Sequence, residues 1–258
     1  MWRLAALAIA AMATADIEAD RAGNRVVAFA PQPGAEGEQP GTIHCTDDRR
    51  VCARLRLGEG QSQWWLEASV DGGRAWQGAD LAMDYDMTRF AIRGRAVRQA
   101  DGPLLVEVER ANAAGYSGGG ASETVLVVLR IDPDGAVAPM FEAPVAANKL
   151  IRACFSQRDE RRRRGACHDE YEFTATLALD PANASGPPRF VLTTRARTYP
   201  GQRQLDSDAT TQPPLLARDL VWWTDPLCSY RRVFAADAAA EGYLPDAPLP
   251  ECADYFGL

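Results

Sequence analysis

Histidine and closely spaced cysteine pairs are scarce in this 258-residue chain. His44 and His168 are the only histidines, and no C-x-x-C pair occurs. Each histidine stands beside a cysteine, but this arrangement lacks the cysteine spacing of structural zinc sites. The sequence therefore predicts no bound metal, no other cofactor and no thioredoxin-like redox chemistry.

Lysine and long apolar runs are scarce as well. Lys149 is the only lysine, and 28 Lys and Arg residues face 35 Asp and Glu residues, for a formal net charge of −7. A chain of this charge is not expected to bind nucleic acid. After residue 15 no run approaches the ~20 apolar residues of a membrane helix, so no integral membrane segment is expected. The preference for arginine and alanine indicates a GC-rich bacterial genome.

Residues 1–15 have the pattern of a secretory signal peptide. Met1-Trp2-Arg3 is a short basic start, residues 4–13 are apolar, and Ala13-Thr14-Ala15 is an A-x-A cleavage site. The apolar core of about ten residues is too short to span a membrane. We therefore expect residues 16–258 to form one exported domain, which is either periplasmic or secreted.

In an exported protein, an even number of cysteines indicates that they form disulfide bonds. The chain has six cysteines, and their fifteen pairings cannot be distinguished from sequence alone. Sequential pairing is the prediction, because each sequential pair flanks a plausible local turn. The predicted disulfides are Cys45–Cys52, Cys154–Cys167 and Cys228–Cys252.

Strand patterns dominate the rest of the chain. Runs of β-branched or aromatic residues, several of them alternating with polar residues, are bounded by Gly, Pro, Asp or Asn. The predicted strands cover residues 25–30, 63–70, 104–109, 124–131, 171–179 and 190–196. The predicted fold class is all-β and mainly antiparallel, sandwich- or barrel-like with a β-propeller as the alternative, and with little helix.

Other segments are less regular. Residues 234–241 match a short helix, whereas residues 83–98 are ambiguous. Residues 31–41 resemble a linker, and residues 199–215 are a long polar loop. Loops longer than about 12–15 residues are usually functional or mobile, so the polar loop is a candidate site. A subdivision of the domain near Asn148 remains an alternative.

One short motif matches a known pattern at every defined position. Residues 69–76 read Ser-Val-Asp-Gly-Gly-Arg-Ala-Trp, which resembles the Asp box S-x-D-x-G-x-x-W of sialidases and related β-propellers. The resemblance covers eight residues and occurs once, whereas sialidases repeat the box. It implies a hairpin in which Asp71 accepts backbone hydrogen bonds, a glycine takes a positive φ and Trp76 packs against the turn. In that family the box is structural, so no catalytic role is carried over.

A second motif raises the alternative of a hydrolase. Residues 115–119, Gly-Tyr-Ser-Gly-Gly, match the G-x-S-x-G nucleophile elbow, which needs a strand, a sharp turn and then a helix. A predicted strand follows here instead, so a flexible hairpin tip is favoured. In the hydrolase alternative His168 is the base for Ser117, with Asp159 or Asp169 as the orienting acid. Paired carboxylates that act on a glycan are the other form of this alternative.

The remaining candidates are ligand-binding residues. Arg161–Arg164 lie inside the predicted Cys154–Cys167 loop, where they suit phosphate, sulfate or carboxylate groups, although pairing with nearby acidic residues is favoured. Trp64-Trp65 and Trp222-Trp223 put one indole on each face of a strand. An exposed tryptophan suits the apolar face of a sugar ring, although packing in the core is favoured. The candidate ligand-binding residues are Tyr116, Ser117, Arg162, Arg163 and Trp223.

These observations favour a non-enzymatic protein of the cell envelope that binds an envelope glycan or another protein through its loops. The relevant loops are residues 115–122, 161–164 and 199–215. The main reason is the lack of a complete catalytic constellation. A periplasmic or secreted hydrolase is the second hypothesis, and a structural or inhibitor-like role is the third.

Overall fold

β-Strands make up almost all of the regular structure in this protein. The computed structural model describes residues 18–32, 41–58, 63–81, 88–206 and 211–257. Within these ranges the strands are accompanied by one short helix and one 3₁₀ turn. The predicted signal peptide and most of the predicted linker over residues 31–41 lie outside the described residues.

The strands follow one another with mostly short connections. They are β1 Arg25–Pro31, β2 Ile43–Thr46, β3 Cys52–Leu57, β4 Trp64–Ser69, β5 Gln77–Leu81, β6 Arg89–Arg98, β7 Leu104–Tyr116, β8 Gly119–Ile131, β9 Val137–Arg152, β10 His168–Leu179, β11 Phe190–Tyr199, β12 Trp223–Thr224, β13 Arg231–Asp237 and β14 Gly242–Pro245. Helix α1 spans Gln157–Arg162, and the 3₁₀ turn spans Ala217–Asp219. All six predicted strands are confirmed, and the ambiguous segment contributes β6. Asn148, near which a subdivision is an alternative, lies inside β9.

All pairs of named strands are antiparallel, and the strands belong to one open sheet. Its order is β14-β13-β11-β10-β9-β8-β7-β6-β1-β2-β3-β4-β5, with β12 beside β11. Most neighbours in space are neighbours in sequence, because short turns return the chain beside the strand that it has just left. The expected all-β, mainly antiparallel fold is therefore confirmed in its sandwich-like form. The described strands neither close into a barrel nor form the separate blades of the propeller alternative.

Strand β1 joins the two layers of the sandwich. Its first half, Arg25–Ala28, pairs with β6, and its second half, Phe29–Pro31, pairs with β2. Because the same strand belongs to both halves, the sheet folds over and brings β3–β5 against one face of β6–β8. The side chains buried between these layers include Phe29, Leu55, Leu66, Ile92 and Val106.

The hairpin of β7 and β8 lies between two hydrophobic cores. Leu104, Val106 and Val108 belong to the core under β3–β5, whereas Leu105 belongs to a second core formed with β9–β14. Successive side chains of a strand point to opposite faces, so a strand covered on both faces is apolar at most positions. Glu107 interrupts this run, and two arginines of β6 ion-pair with it at 3.0 and 3.4 Å.

The helix predicted over residues 234–241 is wrong. Strand β13 occupies the first half of this segment, a turn follows, and β14 comes after the turn. The carboxylate of Asp237 accepts hydrogen bonds from the backbone N–H groups of Ala239 and Ala240 at 2.9 and 2.8 Å. Pairing with β11 and burial of Phe234 in the second core outweigh the helix propensity of this alanine-rich run.

All three predicted disulfides are present. Cys45–Cys52 joins facing positions of β2 and β3, Cys154–Cys167 closes the loop that carries α1, and Cys228–Cys252 ties the C-terminal segment to the chain beyond β12. The chain-entropy relation gives roughly 2.5–3.5 kcal/mol for each ring, because closure restricts the unfolded chain. Three disulfides in one chain indicate an oxidising compartment.

The Asp-box resemblance correctly predicts the turn between β4 and β5. Over residues 69–76 the Asp71 carboxylate accepts a hydrogen bond from the Ser69 hydroxyl at 2.7 Å, and two more from backbone N–H groups three and four residues further on. These hydrogen bonds, that of the hydroxyl above all, lower the pKa of the Asp71 carboxyl. Gly73 has a φ of 93°, and the Trp76 indole donates to its carbonyl oxygen at 3.1 Å. The turn thus uses its own polar groups internally.

Candidate functional site

The loops that the sequence selects meet at one end of the sheet. The Tyr116 hydroxyl, at the tip of the β7–β8 hairpin, donates to the Leu150 carbonyl oxygen at 3.2 Å. Strand β9 then leads into the Cys154–Cys167 loop, where the Arg162 guanidinium donates to the carbonyl oxygen of Gln212 at 2.5 Å. The hairpin tip, the disulfide loop and the long polar loop therefore form one continuous region.

The G-x-S-x-G segment is a tight hairpin tip. Ser117 and Gly118 form the two-residue turn, and strand β8 follows at once instead of a helix. Gly119 is required here because a Cβ at this position would lie 1.6 Å from the carbonyl oxygen of Leu150. Close backbone packing therefore explains this glycine of the motif.

Ser117 and His168 lie at the same end of the sheet but do not form a catalytic pair. The backbone of Arg152 on β9 bonds to Gly118, and Arg152 pairs in register with His168 on β10. Strand β9 thus separates the serine turn from the histidine by two strand spacings of about 4.8 Å each. Within the described ranges, no hydrogen bond joins the two side chains.

The two carboxylates expected to orient His168, those of Asp159 and Asp169, are bound to other side chains. Asp159 accepts a hydrogen bond from the Ser156 hydroxyl at 2.9 Å at the start of α1. Asp169 is buried and ion-pairs with Arg163. Ser156 and Arg163 engage these two carboxylates, and in the described part of the chain neither carboxylate forms a hydrogen bond or an ion pair with His168. The geometry therefore does not assemble the serine form of the hydrolase.

Two predicted ligand-binding arginines are engaged inside the protein. Arg163 is buried, donates to the Ala166 carbonyl oxygen at 2.7 Å and ion-pairs with Asp169. Arg203 lies 3.9 Å from the same carboxylate, and burial lowers the pKa of its guanidinium. Arg162 contacts the long polar loop. Arg162 and Arg163 therefore hold these loops together. For Arg163 this agrees with the expectation that the basic run pairs with nearby acidic residues.

A cross-strand row of polar side chains lies on the outer face of β8–β12. The pairing registers place Ser122 opposite Asn148, Asn148 opposite Glu172, and Glu172 opposite Arg197. Directly paired residues of antiparallel strands project from the same face, so these four side chains are neighbours. The Arg197 guanidinium ion-pairs with the Glu172 carboxylate at 2.7 Å. This row carries hydrogen-bonding groups across four adjacent strands.

Trp222 borders this row. The Cζ atom of Arg197 lies 4.3 Å from the centroid of the Trp222 indole. The ring centroids of Trp222 and Tyr199 are 5.6 Å apart. Trp222 is 39% exposed, and it lines a groove of about 510 Å³ together with Leu150 and members of the polar row. We call Ser122, Asn148, Glu172, Arg197 and Trp222 the platform. Trp223, which the sequence selects, is half-buried in β12.

The opposite face of the same strands anchors the platform. The Lys149 ammonium donates to the Phe256 carbonyl oxygen at 2.8 Å and holds the C-terminal segment against the sheet. Burial lowers the pKa of Lys149, while the nearby carboxylates of Asp254 and Glu123 oppose that shift. Tyr171, Phe173 and Tyr255 pack beside it in a third core. The platform is therefore built on a rigid support.

A larger cleft, of about 1060 Å³, lies at the other end of the sheet near the β13–β14 turn. Several charged groups in this cleft already have partners within the protein. Arg130 ion-pairs with Asp132 at 2.9 Å, and the Asp237 carboxylate accepts backbone hydrogen bonds in the β13–β14 turn. Burial raises the pKa of the Tyr243 hydroxyl, which faces this region. Across the described ranges, no three His, Cys, Asp or Glu side chains are grouped to hold a metal ion. We therefore take the platform as the candidate site.

Sequence reasoning missed most of the platform. It selected Trp223 of the Trp222-Trp223 pair, whereas Trp222 is the indole that lines the groove. Ser122, Asn148, Glu172 and Arg197 stand far apart in sequence, and only the strand registers bring them together. For Asn148, Glu172 and Arg197, alternation with buried residues along the strand is the signal that marks an outward-facing side chain. Ser122 gives no such signal, because its neighbours on β8 are only half-buried.

The comparisons with known proteins leave the site to be interpreted from its own geometry. A scan against protein-family models finds no match, and searches of curated proteins and of solved structures find no significant similarity. Among the residues that the structure describes, no helix has the length and the apolar character needed to cross a membrane.

Proposed function

We propose that this chain is a non-enzymatic binding protein of the cell envelope that holds a carbohydrate chain on the platform. The platform combines a hydroxyl, an amide, a carboxylate and a guanidinium with one exposed indole. Sugar rings offer the complementary groups, because hydroxyls surround an apolar C–H face. The polar row would contact the hydroxyls, and Trp222 would contact the face of a ring.

The observation that carries this proposal is the exposure of Trp222 beside a polar groove. A buried tryptophan would serve the core, but 39% of this residue remains exposed. The guanidinium of Arg197 holds the ring in place through a cation–π contact at 4.3 Å. A ring that is already fixed loses little conformational freedom when a ligand binds, which favours affinity.

The test is binding to a glycan microarray, followed by affinity measurements on the best ligand for wild type, Trp222→Ala and Trp76→Ala. Trp76 is a matched control, because Arg54 stacks on it at 4.2 Å in the distant β4–β5 turn. We expect Trp222→Ala to weaken binding about tenfold, since an aromatic contact of about 1.5 kcal/mol corresponds to that factor. Trp76→Ala should retain the wild-type affinity.

Two outcomes would contradict the carbohydrate proposal. One is the absence of any glycan ligand, and the other is an equal loss of affinity in both tryptophan variants. Capture of a protein partner that depends on Trp222 would instead assign the platform to protein recognition, the alternative occupant of this surface.

A carboxylate-based hydrolase is the second candidate, because Glu170 and Glu172 both border the groove. Alternate residues of a strand are about 6.7 Å apart, which falls within the roughly 6.5–9.5 Å spacing of inverting glycosidases. Both carboxylates, however, project from one strand, and Glu172 is held by Arg197 at 2.7 Å. Release of reducing ends from a bound oligosaccharide, abolished in Glu172→Gln, would favour this candidate over simple binding.

The location proposed with this function is the periplasm or the exterior of a bacterial cell. The three disulfides support it, as does the signal-peptide pattern of residues 1–15. Intact-mass measurement of the protein isolated after export should show a chain that begins at Asp16 and lacks two hydrogens for each disulfide. A mass that retains the first fifteen residues, or free thiols, would contradict this location.

A further inference from the structure

The outer face that carries the platform continues beyond it along β9 and β10. Asn148 and Glu172 are paired in the platform, Leu150 and Glu170 are the next outward pair, and Arg152 and His168 are the pair after that. Alternate residues of a strand share one face and are spaced by about 6.7 Å. Arg152 and His168 therefore extend the groove by about 13 Å from the platform row.

These two residues border a notch of about 460 Å³ beside the Cys154–Cys167 disulfide. The Arg152 side chain is oriented by its Nε, which donates to the Cys154 carbonyl oxygen at 2.8 Å, and by the Phe155 ring, 5.2 Å away. Both Arg152 and His168 are exposed. In the described part of the chain, the terminal guanidinium nitrogens of this exposed arginine form no hydrogen bond and no ion pair.

The carboxylates near the notch do not neutralise this arginine. Glu160 borders the notch and Glu170 lies one pair further along the face, yet neither forms an ion pair with Arg152 in the described part of the chain. Asp159 is used by the Ser156 hydroxyl and by a backbone N–H. A planar guanidinium with free terminal nitrogens matches a carboxylate, sulfate or phosphate in two-point contact.

We propose that the notch of Arg152 and His168 binds an anionic substituent of the same glycan whose ring lies on Trp222. This inference rests on the proposed function and makes the ligand an acidic polysaccharide. The sequence places the anion-binding role on Arg162 and Arg163, but both are held by internal contacts. Arg152 keeps the geometry that those two residues lack.

The test compares a galacturonic acid hexamer with its carboxyl-reduced form, which has the same rings without the charges. For wild type we expect the acidic hexamer to bind about tenfold more tightly. Arg152→Gln should remove this preference and leave the affinity for the reduced form unchanged. Arg161→Gln, a change at an exposed arginine of α1 outside the notch, should keep the preference. Thermal unfolding of each variant checks that it folds.

The outcomes separate the two proposals. Equal affinity for both hexamers, with binding still lost in Trp222→Ala, would overturn the acidic ligand and leave carbohydrate binding intact. A preference that survives in a folded Arg152→Gln variant would also overturn the notch assignment. No binding of either hexamer, together with an empty glycan array, would overturn the proposed function and the inference with it.

Discussion

The two ends of the β7–β8 hairpin are built in different ways. At one end, residues 104–108 of β7 are buried on both faces between two cores. At the other end, residues 113–117 are exposed, and the neighbouring strands carry the platform. The same two strands thus provide stability at one end and an open binding surface at the other. Burial on both faces leaves no side chain available for a ligand, so a site belongs where only one face is covered.

The largest effect expected from this comparison is on stability. Leu105 is 1% exposed in the second core, and Leu105→Ala should lower the free energy of unfolding by about 2–5 kcal/mol, because it leaves a cavity. Leu150, beside the open end, is 40% exposed, and Leu150→Ala should change that energy by less than about 0.5 kcal/mol. Urea unfolding of the two variants against wild type measures both values.

Equal losses of unfolding free energy in the two leucine variants would contradict the proposed difference between the two ends. They would mean that the open end contributes to the cooperative core as much as the buried end does. A change of slope in the denaturant dependence would point instead to altered compactness, so the slopes must be compared before the free energies.

A smaller effect on stability is expected at the β4–β5 turn. This turn lies near the buried end, because Gln77, just after the turn, donates to the Asp134 carbonyl oxygen of the β8–β9 turn at 2.7 Å. The lowered pKa of Asp71 means that, in acid, the unfolded chain binds a proton more readily than the folded chain. The contribution of Asp71 is present above the ordinary pKa of an aspartate and is lost as the pH falls through the lowered folded value.

Asp71→Asn should therefore reduce the acid sensitivity of the melting temperature and leave glycan binding unchanged. Melting curves between pH 7 and pH 3 measure this effect. Asp47→Asn, at an exposed carboxylate in the β2–β3 turn, is the control and should keep the wild-type pH dependence. An Asp71→Asn variant with the same pH dependence as wild type would show that the turn contributes nothing to acid stability.

Local patterns were sufficient for much of the fold. Alternation and turn residues predict the six strands, and short separations between cysteines predict the correct disulfides. The Asp box predicts a turn down to the roles of Asp71 and Trp76, because every interaction in it joins residues within eight positions. The helix over residues 234–241 fails for the opposite reason, since its strand depends on pairing with the distant β11.

The candidate site was less accessible to sequence reasoning. The loops that the sequence selects lie at the same end of the molecule as the platform. The residues that it selects there include Ser117, Arg162 and Arg163, which are a turn residue and two internally engaged cations. Charge alone does not show whether an arginine already has a partner. No sequence motif singles out Arg152, yet this residue is exposed and its guanidinium is oriented by Cys154 and Phe155.

The amino-acid sequence is enough to predict an all-β chain and to favour three local disulfides, because strand periodicity and short-range pairing are properties of neighbouring residues. Tertiary structure alone establishes the platform and the arrangement of the three hydrophobic cores. Strand register decides which of two opposite faces each side chain occupies, and folding of the sheet at β1 decides which faces are covered. Both depend on contacts between residues that are far apart in sequence, which no local pattern records.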